Sequence, residues 1–343
     1  MANRDPSSAL FAEYHEQTQC ALFAKLPPEI RYEIFAYALA TAPDRTSSEA
    51  QNSYCVRPGY ENRRRTWTQL LRTCKRVYME AWFMPLACSE HAFYMTGCNR
   101  CPKRVTELRD MQHCLDLLYK RHGEVHGGSI RLFTQMYKLE GATTFQGIFA
   151  MPHFQPTTVA ITIRYTDTWF WEDNHPLRIK GSWCEREILP ASVSCFQIEI
   201  ESIERRKAEV DYIATEAANK WHFTRSDGAQ LLSDPSQIAI SRWTGSSFIG
   251  GDRWIRDEVR PGQLDYYVAT ITWRPSPDPL GSRPEKNPNL RVDWDRPAPR
   301  QLEYVSIPEE DMVNAGIPAD STPEDASKAY YAFCHKSLMI IPS

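Results

Sequence analysis

A chain of 343 residues that is 42% hydrophobic, 24% charged and 12% aromatic can bury a sizeable core, as one large domain or two ordinary ones, and is not a disordered polymer. Its net charge of -3 exerts no global pull on nucleic acid or an anionic membrane, and no apolar run approaches the ~20 residues of a spanning helix, so neither partner is expected. The first twenty residues carry Arg4, Asp5, Glu13 and Glu16 instead of an apolar block; no secretory signal is expected, and the ten cysteines are expected as reduced, mostly buried thiols of a cytoplasmic or nuclear protein.

Residues 1–24 are polar and read as a flexible N-terminus, with a short helix over 9–22 as its one candidate element. From Leu26 onward, Ile30, Ile34, Phe35, Ala38 and Leu39 recur at helical spacing. Pro27 and Pro28 stand where a first turn tolerates missing N–H donors. Residues 40–65 lose this periodicity and collect Pro43, Asp44, Ser47, Ser48, Pro58 and Gly59, which is loop chemistry. Thr66-x-x-Gln69 has the spacing of a capping box and opens a second helix, with Leu70, Leu71, Cys74, Val77, Tyr78 and Ala81 on one face and Pro85 at its end. A third helical pattern runs through Val105, Leu108, Met111, Leu115 and Leu118 to His122-Gly123.

After Gly128 the period changes to that of strands, over 130–133, 159–165, 193–200, 238–243 and 266–273. Val159, Ile161 and Ile163 alternate with Thr158, Ala160 and Thr162, which predicts one buried and one wet face. On the same reasoning Glu199, Glu201 and Glu204 face water. Asp227-Gly228 between apolar flanks signals a hairpin. Residues 203–221 read as one amphipathic helix, with Val210, Ile213, Ala217 and Trp221 inward and Arg206 and Glu209 in solvent. The proline-rich stretch 274–300 reads as an unstructured excursion. Thr322-Pro-Glu-Asp325 opens a last helix, after which Leu338-Met-Ile-Ile341 is a candidate edge strand. The expected fold is α+β: a helical head over 25–125, then a body over 126–343 built on a mostly antiparallel sheet with packed helices.

Two stretches of the head resemble a known family. Leu26-Pro-Pro-Glu-Ile30-Arg-Tyr-Glu-Ile34-Phe35 is similar to the first helix of an F-box, and Leu70-Leu-Arg-Thr-Cys74-Lys-Arg-Val77 to its second half. The whole chain also resembles fungal proteins of unassigned function in which two such helices precede a strand-rich body. The resemblance implies a helical module that docks on the Skp-type linker of a cullin–RING ubiquitin ligase while the body recruits an unknown target protein. Leu26, Pro27, Ile30, Ile34 and Phe35 are the candidate docking residues. The 40–65 insertion departs from a compact F-box, which joins its helices by a short link.

Two further constellations could carry chemistry. Cys88-x2-His91-x6-Cys98-x2-Cys101 offers four ligand types in two pairs, the donor set of a tetrahedral zinc site, and defines the alternative of a zinc-stabilised interaction domain. Asp167, Trp169, Trp171 and His175 follow a strand, where binding loops gather, and define the alternative of a small-ligand binder or enzyme. No second carboxylate or nucleophile completes a mechanism there. P-loop, Rossmann, Gly-x-Ser-x-Gly and His-Glu-x-x-His patterns are missing. A non-enzymatic adaptor without a cofactor, zinc excepted, is the leading expectation.

Overall fold

The computed structural model describes residues 14–141, 144–276, 286–296 and 298–338. Its principal elements run α1 (Pro28–Leu39), β1 (Thr41–Ser48), β2 (Asn62–Thr66), α2 (Lys75–Ala81), β3 (Glu90–Met95), α3 (Leu108–His122), β4 (Ser129–Thr134), β5 (Thr158–Ile163), β6 (Ile188–Leu189) and β7 (Cys195–Ile203). They continue with α4 (Lys207–Lys220), β8 (Phe223–Arg225), β9 (Gln230–Ser233), β10 (Ala239–Ser246), β11 (Gln263–Pro275), α5 (Glu309–Ala315) and α6 (Pro323–Leu338). This is an α+β architecture, and all five strand segments expected from the sequence are present.

Nine strands form one sheet in the order β3-β4-β5-β7-β11-β9-β8-β6, with β10 also paired to β11. The sheet is mixed, which corrects the mostly antiparallel expectation: β3, β4, β5 and β7 are mutually parallel. The reason lies in the connections. Parallel neighbours need a crossover of a dozen residues or more, usually helical, and α3 is such a crossover between β3 and β4. Beyond β7 the pairing turns antiparallel as far as β8, and the edge strand β6 then pairs parallel to β8. The long strand β11 meets β7 on one side and β9 and β10, end to end, on the other. Hairpin β8–β9 forms around Gly228, whose φ of 83° suits the turn.

One sheet face builds the main core. Ile130, Leu132, Ile161, Ile198, Ile271 and Trp273 are completely buried on it, and each apolar side chain so placed contributes about 1.5–3 kcal/mol. Helix α4 lays Val210, Ile213, Ala214 and Ala217 into this core. Arg206 and Glu209, expected in solvent, are instead 1% and 4% exposed and ion-paired at 2.9 Å. Glu209 also accepts the Leu177 N–H at 2.9 Å. A charged pair can be buried here because the opposite charges offset each other and the His175 carbonyl and Leu177 N–H supply further bonds.

The opposite face is not wet, which corrects the reading of Thr162, Glu199 and Glu201. Residues 40–65 are not a plain loop: β1 and β2 pair antiparallel, and the segment between them lies over this face. Tyr60 packs edge-on against Phe133 at 5.0 Å. Arg57 reaches Glu199 at 3.1 Å, and Arg131 holds Glu199 at 2.7 Å and Glu90 at 2.8 Å. Alternation marks a polar face correctly but says nothing of what covers it.

Other expectations shift for local reasons. Thr66 belongs to β2, so no capping box forms; a short 3₁₀ turn (Gln69–Arg72) precedes α2, separated from it by extended Cys74. Of the ten unpaired cysteines only Cys55 and Cys184 are fully buried. Within the proline-rich stretch, Leu290–Arg291 pairs with Arg178–Ile179, and Val292 is buried. Residues 277–285 and 297 of that stretch, the start of the N-terminus and the edge strand proposed for 338–341 lie outside the described residues, except for Leu338 at the end of α6. Among the described residues no helix is long and apolar enough to cross a membrane.

Candidate functional site

Helix α1 begins at Pro28, with Pro27 extended before it, and ends where Ala40 turns extended into β1. Its two faces have different surroundings. Phe35 (1% exposed) and Leu39 (0%) pack with Val77, Ala81 and Met84 in a small core separate from the main one. Arg31 is buried beside them, donating to both Glu80 carboxylate oxygens at 2.8 and 3.0 Å and to the Leu26 carbonyl at 2.8 Å. This fork fixes α1 against α2. On the other side, Ile30 is 47% and Ile34 41% exposed, and Tyr37 is 86% exposed. Residues 30, 34 and 37 share one helix face, and exposed Pro27 lies one turn before it.

Of the five docking residues expected from sequence, Pro27, Ile30 and Ile34 therefore lie on a free apolar stripe. Leu26 is half-buried, and Phe35 belongs to the head's own core. Tyr37 was missed, although its spacing from Ile30 and Ile34 carries the signal. The insertion leaves the stripe open because it lies over the sheet.

The Cys88–His91–Cys98–Cys101 set is not brought together. His91 is part of β3, where its Nε2 meets the Leu86 carbonyl at 3.0 Å and its ring packs edge-on against Phe154. Burial pushes its imidazole below the ordinary histidine pKa. Cys98 and Cys101 stay in a separate turn, where the Cys101 thiol donates to the Cys98 carbonyl. Among the described residues no three His, Cys, Asp or Glu side chains cluster as a metal would need.

The strand-end residues also diverge. Asp167 is bound at 2.6 and 3.1 Å by Arg164 within the interior. Trp169 donates to Glu140 at 3.0 Å, and Trp171 is buried against Trp254 at 4.3 Å between ring centres. His175 is exposed beside Phe170. Arg164 is fully committed, since it also donates to the carbonyls of Tyr54 and Arg100 at 2.8 and 3.1 Å. The segment plugs a second small core and does not assemble a pocket of its own.

A cavity of about 180 Å³ does lie beside this strand end, lined by Tyr54, Arg57, Arg164, Glu201, Trp243 and Tyr266 among others. It sits past the carboxyl end of β5, under the segment between β1 and β2. Sequence spacing could not find it, because Arg57 and Glu201 are 144 positions apart in the chain. Glu201 is 3% exposed, and burial raises its pKa. For Glu199 burial acts the same way, yet the guanidiniums of Arg131 and Arg57 hold its carboxyl below the usual range. The roof is pinned: Gly250 N–H donates to the Asn52 carbonyl at 2.8 Å, and the Arg100 guanidinium lies 4.4 Å from the centre of the Tyr54 ring.

Gly250 has φ +69°, and a Cβ there would stand 2.1 Å from the Tyr54 hydroxyl oxygen. Gly250→Ala is accordingly expected to destabilise the fold by about 1–3 kcal/mol through backbone strain and to displace Tyr54. Chemical denaturation, with tryptophan fluorescence reporting on nearby Trp243, measures both effects; unchanged stability and fluorescence would contradict this.

Comparison of the chain with protein-family models, curated proteins and solved structures finds no match.

Proposed function

We propose that the protein is a non-enzymatic adaptor whose helical head docks on a partner protein through the Pro27–Ile30–Ile34–Tyr37 face of α1, as the F-box-like residues imply for a Skp-type linker, while the body serves as receptor for a target. The observation that carries this reading is the exposure of Ile30, Ile34 and Tyr37 on one face while Phe35 and Leu39 complete the head's core from the other. An apolar stripe left open by its own fold favours a partner helix or groove. The separate head core supports the reading too, since the docking face does not depend on packing against the sheet.

The test is co-purification of the full chain with a Skp-type linker. Ile34→Asp is expected to abolish it, a central interface residue being worth roughly 2 kcal/mol or more, with unchanged thermal unfolding because the side chain is exposed. A wild-type protein that fails to bind the linker would rule out the F-box-like role.

A further inference from the structure

The cavity above Glu201 holds two unmet hydrogen-bonding demands. Arg57 is 9% exposed, and its Nη2 contacts Glu199 at 3.1 Å and Glu201 at 3.8 Å. Among the described residues its buried Nε and Nη1 have no hydrogen-bond partner. Among the described residues Glu201 receives two long hydrogen bonds, from the Trp243 indole at 3.3 Å and the Tyr165 N–H at 3.4 Å. A buried donor pair and an underserved acceptor at one cavity are unusual, because interiors normally satisfy such groups within the protein, by water or by ligand.

Shape narrows the choice. Trp243 and Tyr266 stack at 4.0 Å with their planes 9° apart, and Tyr54 of the roof segment lines the same cavity. Gly245 permits this arrangement, since a Cβ there would meet the Trp243 ring at 2.5 Å. One part of the wall is therefore flat and aromatic, beside a polar part that includes Arg57, Glu61, Arg164 and Glu201. The volume of about 180 Å³ is that of a single-ring compound, given that a cavity of roughly 150 Å³ accepts benzene.

From this geometry we infer that the cavity is a binding site for a small, neutral, single-ring compound with a lactam or carboxamide edge. The carbonyl of that edge accepts from Arg57, its N–H donates to Glu201, and its ring lies among Tyr54, Trp243 and Tyr266. A net-neutral ligand suits the mixed lining, in which the second guanidinium, Arg164, is already bound to Asp167. An anion would gain from Arg57 but face the Glu201 and Glu199 carboxyls. The site is independent of the docking face on α1, so either can fail without the other.

Calorimetric titration of the full chain with nicotinamide, uracil and benzoate separates these possibilities. Nicotinamide or uracil is expected to bind, and benzoate to bind at least tenfold more weakly. Arg57→Met is expected to weaken the amide probes by roughly tenfold or more, the effect of losing hydrogen bonds to a charged donor. Val56→Trp, which fills the roof side of the cavity, is expected to abolish binding. That variant keeps the test decisive should Arg57→Met fail to fold, because Val56 is only partly buried. Failure of both amide probes to bind, tighter binding of benzoate, or amide binding that survives Val56→Trp in a folded variant overturns the assignment.

Discussion

Glu258→Ala is expected to destabilise the protein by about 3–5 kcal/mol, the range for removing one partner of a buried ion pair. Glu258 and Arg253 side chains are both 0% exposed and meet in two parallel bonds, Nε to Oε1 at 2.8 Å and Nη2 to Oε2 at 3.0 Å. Ser247 donates to the same carboxylate at 2.5 Å. Without Glu258 the hydrogen-bond partners left to the buried guanidinium among the described residues are Ser321 and the Pro318 carbonyl, which do not neutralise its charge. Those contacts lie in the turn before α6, so the damage should spread to the packing of α5 and α6. Replacing both residues by methionine should recover much of the loss, since an apolar pair leaves no charge uncompensated. Urea denaturation of the wild type and the two variants checks this. A Glu258→Ala change costing under about 1 kcal/mol would show that solvent reaches the pair.

Phe35→Ala is expected to cost about 3–5 kcal/mol, while its neighbour Ile34→Asp leaves stability unchanged. The contrast follows from position alone: Phe35 is 1% and Ile34 41% exposed. Because Phe35 lies in a core distinct from the main one, the loss should concentrate in the head. Hydrogen exchange should accelerate in α1 and α2 first, leaving the β7–β11 ladder protected. Uniform acceleration across the sheet would mean that head and body unfold as one unit. The pair of variants also separates two ways of losing a partner: Phe35→Ala acts through folding, and Ile34→Asp through the contact surface alone.

Local pattern made much of the fold readable. The 3.6-residue period marks α1, α3 and α4, short β-branched and aromatic runs mark β4, β5, β7, β10 and β11 with alternation visible in β5 and β7, and Asp227-Gly228 marks the β8–β9 turn. These are decided by neighbours a few positions away, and the chain alone supplies them. The parallel run β3-β4-β5-β7 was legible in principle, because a helix-bearing connection of some thirty residues stands between β3 and β4, but alternation does not encode strand direction. The exposed stripe on α1 was half legible: spacing puts Ile30, Ile34 and Tyr37 together, yet a helical pattern does not say whether its surplus apolar residues meet the protein's own body.

What the sequence determined by itself is a helix within 26–39 and an α+β fold with a strand-rich body behind it. Only the tertiary structure decided that Phe35 turns inward while Ile34 stays free, that Cys88, His91, Cys98 and Cys101 stay apart, and that the 40–65 insertion roofs the polar face of the sheet. The physical reason is common to all three. Burial and hydrogen-bond satisfaction depend on groups brought together from distant parts of the chain, as Arg57 is over Glu199 and Glu201, and no local period records those meetings.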